Sequence, residues 1–107
     1  MAINFNRSKH SEPDIIKDIA GFTFITGNKT EGIGFVTKND HIVITIMAVY
    51  DTGAVDTFSI IVNEYGEINP YSSIKDVLTK YCDYDIKFIK TYKKFSDMNI
   101  TIDLEVE

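Results

Sequence analysis

The sequence predicts an α+β fold, a mainly antiparallel sheet of about six strands with two helices in the order α-β-β-β-β-α-β-β. Three observations carry this. The stretch His41 to Tyr50, H-I-V-I-T-I-M-A-V-Y, holds no charge after its first residue and is dominated by β-branched side chains. Such residues pack well on a pleated surface and lose rotamer freedom in a helix. Ile74, Val77, Leu78 and Tyr81 recur at i, i+3, i+4 and i+7, one apolar stripe of a helix. Met98, Ile100, Ile102, Leu104 and Val106 alternate with polar residues, the pattern of a strand with one buried face.

In chain order, Ile3 and Phe5 alternate with asparagines, so residues 1–10 read as a loose arm or an edge strand. Ser11 reads as the N-cap of a first helix, with Pro13 in its first turn, Ile15, Ile16 and Ile19 as its stripe, and Gly21 as its stop. Phe22 to Thr26 is a strand, and the polar loop Gly27 to Gly32 joins it to a strand over Ile33–Lys38. Gly32-Ile33-Gly34 lacks the strand-to-helix setting of a dinucleotide loop, so its glycines are assigned to a relaxed hairpin or a bulge.

Asn39-Asp40 is a two-residue turn into the central strand, which is apolar on both sides and expected to be covered above and below. Asp51 to Ala54 turns the chain into a strand over Thr57 to Val62. Asn69-Pro70 marks the start of the second helix. Ile86, Phe88 and Tyr92 form a further strand, and Lys93–Asp97 turn toward the last one.

A chain of 107 residues, 44% hydrophobic and 25% charged, supports one folded domain over 1–107 with its own core. Eleven basic against 16 acidic residues give a net charge of −5, which disfavours non-specific attachment to nucleic acid or an anionic membrane. The single Cys82 cannot close an internal disulfide, and the N-terminal residues lack the apolar run of a secretion signal, so a cytoplasmic location is expected.

His10, His41 and Cys82 are too far apart in sequence for a zinc motif. Asp83-Tyr84-Asp85 starts like a calcium loop but lacks its glycine and closing glutamate. Cys82 reads as a small buried hydrophobe beside the helix stripe. No nucleophile, ligand cluster or cofactor fingerprint emerges, so the expectation is a protein without catalytic residues, metal or cofactor.

The distribution of charge is more informative. From His41 to Ile74 there is no Lys or Arg, while Asp51, Asp56, Glu64 and Glu67 accumulate, with Tyr50, Tyr65 and Tyr71 close by in sequence. Tyrosine beside carboxylate suits an interface with a basic partner, although acidic turns also serve solubility. The expected function is a small acidic protein-binding module, of inhibitor or immunity type, covering a basic surface of a target protein through Tyr50, Asp51, Asp56, Glu64, Tyr65 and Glu67. Two alternatives stand beside it. One is an accessory subunit of a larger assembly. The other is a nucleic-acid-binding domain using the lysine- and aromatic-rich stretch 84–95 (Tyr84, Lys87, Phe88, Lys90, Tyr92, Lys93, Lys94, Phe95).

Overall fold

A computed structural model describes residues 14–98. Five antiparallel strands form one sheet: β1 (Gly21–Thr26), β2 (Glu31–Lys38), β3 (Ile42–Val49), β4 (Val55–Val62) and β5 (Ile86–Tyr92), in the order β4-β3-β2-β1-β5. The first four make a meander. The chain then passes beneath the sheet through helix α1 (Ile74–Lys80) and returns as β5 on the free side of β1.

The covered face is built on an interlock between β1 and β2. Phe22 pairs with Gly34 and Phe24 with Gly32. A Cβ built on either glycine would fall inside van der Waals contact with the opposing phenylalanine ring. Absence of a side chain in β2 therefore makes room for aromatic mass from β1. The expected bulge is absent, because the β1–β2 register runs unbroken through both glycines; the sheet's register shift falls instead between β1 and β5, at Ile25/Thr26. The rows continue across β3: Gly34 faces Ile46, Gly32 faces Ala48, and Val36 faces Ile44. Ile74, Val77 and Leu78 of α1 close this layer, together with Ile16 and Ile19.

Several expectations are corrected. The first helix is reduced, among the described residues, to a 3-10 turn over Ile16–Asp18. Its backbone groups are committed elsewhere: the amides of Ile16 and Lys17 donate to the carbonyls of Ser72 and Pro70, and the Ile74 amide donates to the Asp14 carbonyl. Ile16 and Ile19 nonetheless lie in the core, as their apolar spacing implied. The same pairing delays the second helix. Residues 69–73 form turns, with the Asn69 side chain accepting from the Tyr71 amide, and α1 begins only after Ser73. Tyr81 leaves the apolar stripe; it is exposed, and its hydroxyl donates to Glu67 at 2.8 Å.

Asn39-Asp40 is not a two-residue turn, since the pairing of Lys38 with Ile42 leaves three residues, 39–41, in the loop. β3 is not covered on both sides. Ile44, Ile46 and Ala48 are fully buried, whereas Met47 and Val49 on its other face are 42% and 37% exposed. Met98, the first residue of the expected final strand, closes a 3-10 turn over Phe95–Met98 and packs on Gly21. The rest of that strand, and the arm at 1–10, lie outside the described residues.

The uncovered face follows from the other parity of the same strands. Ile25, Glu31, Val49 and Val55 lie in one row, flanked by Phe88 of β5. Thr23, Ile33, Met47 and Thr57 form the next row, flanked by Lys90. Phe35 pairs with Thr45, which pairs with Ser59, and the Phe95 ring stands 6.0 Å from Phe35. The Phe95–Met98 turn covers the Gly21–Phe35 end of this face, and over the remainder the alternation of aliphatic and hydroxyl side chains leaves the layer half apolar without a cover from the described residues.

Candidate functional site

The antiparallel meander carries the β3–β4 turn and the β1–β2 turn to the same end of the sheet, and the entry to β5 arrives there too. Gly53, with φ of +94°, closes the β3–β4 turn, where the Tyr50 amide donates to the Ala54 carbonyl. In the β1–β2 turn, Asn28 Oδ1 accepts from the hydroxyls of Thr26 and Thr30, both of which are buried. These two threonines, unremarkable in sequence, fix the turn from within.

Helix α1 ends at the same place. The Cys82 and Tyr84 amides donate back to Val77 and Leu78, and between them Asp83 adopts φ of +62°. A left-handed backbone at a residue with a side chain is costly, and aspartate tolerates it better than most. The reversal aims Tyr84 onto the core, its ring 5.2 Å from that of Phe24, and leaves Asp83 and Asp85 exposed.

The outcome is a recess of about 500 Å³ bordered by Asn28, Tyr50, Cys82, Asp83, Tyr84 and Asp85. The Tyr50 hydroxyl donates to Asp56 Oδ2 at 3.4 Å. Burial, and then the neighbouring Tyr50, push the Tyr84 phenol up to about 12. Burial also pushes the Cys82 thiol up, so the thiolate that reacts with electrophiles is suppressed. The recess therefore holds neutral hydroxyl and thiol groups at its wall and carboxylates at its rim. Among the described residues, no three of His, Cys, Asp and Glu converge as a metal site.

Tyr50, Asp51 and Asp56 thus come together. Asp83 and Asp85, which sequence reading had weighed only as a calcium loop, join them because β5 pairs with β1. Glu64, Tyr65 and Glu67 do not join them. Glu64 and Tyr65 follow the far end of β4, about 20 Å along the strand between Asp56 and Val62, whereas Glu67 turns back toward α1, where its carboxylate accepts from the hydroxyl of Tyr81, the residue before Cys82. The far end also carries cations, Lys38 at the close of β2 and Lys93 and Lys94 just past β5. Lys38 Nζ donates to the Lys17 carbonyl at 2.8 Å. At the recess end the cations include Lys29, Lys80 at the close of α1, and Lys87, and Lys87 lies 3.7 Å from Asp85.

The lysine and aromatic stretch 84–95 is divided by the fold. Tyr84 turns to the covered face, while Phe88, Lys90 and Tyr92 share the uncovered one. Lys90 Nζ stands 5.3 Å from the Tyr92 ring. Among the described residues, no helix is long and apolar enough to cross a membrane. No family model, curated protein or solved structure matches the chain.

Proposed function

We propose that the protein is a non-catalytic binding module that covers a basic surface of a target protein with the recess end of its sheet. The observation that supports this is the meeting of Asp51 and Asp56, from the β3–β4 turn, with Asp83 and Asp85, from the segment between α1 and β5, near Tyr50. A lysine or arginine of the partner would enter beside the tyrosine, its charge meeting carboxylates that are exposed before binding. Exposed acids of this kind steer association and set specificity more than they add affinity. The left-handed Asp83 also favours this reading, because backbone strain is commonly held where a side chain has a task. Glu64, at the far end of β4, shares its surroundings with lysines and is assigned to the solvated surface, and Glu67 is assigned to its hydrogen bond with Tyr81.

The test is charge reversal at each end separately, with partners captured from lysate on the wild-type protein as the binding probe. Asp51→Lys with Asp56→Lys should keep its folding midpoint and lose capture, chiefly through slower association at low salt. Glu64→Lys with Glu67→Lys should bind within about twofold of wild type. Loss of binding only in the second double variant would move the interface to the other end. Full binding by both would leave the acids as a solubilising surface.

A further inference from the structure

We propose that the uncovered face of the sheet is the contact surface between two copies of this chain, packed sheet on sheet. This goes beyond the binding function proposed above and uses a different surface. Among the described residues, most of the large exposed hydrophobic side chains gather here, including Ile25, Met47, Val49, Val55, Ile61 and Phe88. Tyr65, Tyr71 and Tyr81, the exposed aromatics elsewhere, are scattered by comparison and carry hydroxyls. A contiguous apolar patch of this kind on a small protein marks an interaction surface.

Three properties point to a second copy as the occupant. The first is charge. The molecule carries −5, so two copies repel through most orientations. On this face the strands contribute Glu31 and Lys90, which cancel, so this orientation brings together surfaces without net charge. A basic partner would gain nothing here, and a nucleic acid would find a single strand lysine, Lys90, beside Phe88 and Tyr92, too little charge to hold a phosphate backbone.

The second is the chemistry of the polar groups that remain. They are hydroxyls, Thr23, Thr45, Thr57 and Ser59, and Thr45 and Ser59 lie 3.4 Å apart. A hydroxyl both donates and accepts, so it can pair with its own copy across a two-fold axis, as carboxylates and ammonium groups cannot.

The third is size. Five strands at about 4.8 Å spacing and six to eight residues at about 3.3 Å rise, less the end under Phe95 and Met98, give a face of roughly 500 Å². Two such faces bury roughly 1,000 Å², about the least that a specific interface needs. A concavity of about 380 Å³ between Ile25, Met47, Val49 and Phe88 can receive an apolar side chain of the opposing sheet. Packing at about 10 Å separation would then complete a two-layer sandwich above the existing core.

The experiment is sedimentation velocity on the full chain from about 1 to 500 µM, with circular dichroism as the check on folding. The wild type should shift toward twice the monomer mass within that range. Met47→Lys should raise the dissociation constant at least tenfold, as should Thr57→Lys, whose exposed position on edge strand β4 spares folding if the first variant does not. A monomer at every concentration overturns the proposal and leaves the face to another segment of the chain or to a different protein. A dimer that both variants leave intact also overturns it, and would place the contact at another surface such as the free edge of β4.

Discussion

The two faces of this sheet draw on the same strands, yet one is sealed and the other is largely open. In β3, Ile46 is fully buried and its neighbour Met47 is 42% exposed. What separates them is complementarity of volume. On the sealed face the large rings of β1 sit over the glycines of β2, which leaves a surface level enough for α1 to pack upon. On the open face threonines and aliphatics alternate, and among the described residues the short Phe95–Met98 turn, with Met98 over Gly21, covers one end alone. The difference lies in which side chains are absent and in where the chain crosses.

The sharpest way to break the comparison is to empty the sealed face. Phe22→Ala removes a fully buried ring and exposes the groove above Gly34, and should cost about 3–5 kcal/mol in denaturant unfolding. A cost below about 1 kcal/mol would mean that the ring is not the filler of that groove. Gly34→Ala attacks the same interlock from the other side. The added methyl group must displace the Phe22 ring, and the expected loss is about 1–3 kcal/mol. The paired variant Gly34→Ala with Phe22→Leu should cost less than the sum of the two single changes, because the smaller side chain frees the space the methyl group needs. Strict additivity would sink the interlock.

Local periodicity made much of this architecture legible. The alternation in Phe22 to Thr26 and His41 to Tyr50 placed Phe22, Phe24, Ile44 and Ile46 on single faces, and the spacing of Ile74, Val77 and Leu78 placed a helix beneath them. The pairing of β5 with β1 was not legible, because long-range pairing leaves no trace in the period of either strand. With it went the convergence of Asp83 and Asp85 on Tyr50 and Asp56; β3 is interior as its apolar run implied, but its uncovered side was not legible. The split of the acids between the ends of β4 did follow from the meander, since successive turns alternate ends. The first helix was misread for a related reason. Its apolar spacing is real, but residues 70–74 take its backbone hydrogen bonds, and that competitor lies more than fifty residues away.

Alkaline titration separates the sealed face from the open one by a different property. Tyr84 lies against Phe24 with its phenol held up to about 12, against about 10 in the unfolded chain. The folded state therefore binds this proton more tightly than the unfolded state. The associated stability is complete below pH 10 and is lost as pH rises toward 12. Allowing for the solvent that still reaches the ring, this limb amounts to about 1 kcal/mol. Tyr84→Phe should flatten the limb by that amount relative to wild type, measured as unfolding midpoints between pH 9 and 12. An unchanged limb would place Tyr84 in solvent instead of on the core.

The smallest effect bears most directly on the comparison. Met47→Ala lies one residue from Ile46 but on the open face, and in dilute protein it should cost about 0.5 kcal/mol, the range of ordinary surface changes. Ile46→Ala, by contrast, should cost about 2–5 kcal/mol. The ratio is the informative quantity, because both variants shorten a side chain in the same strand and share its backbone pairing. Unfolding is best followed at a protein concentration near 1 µM, where association contributes least to apparent stability. If the Met47 cost rises to match that of Ile46 even there, the open face is already covered within a single chain. If it stays small when dilute and grows with concentration, the cover is supplied by association.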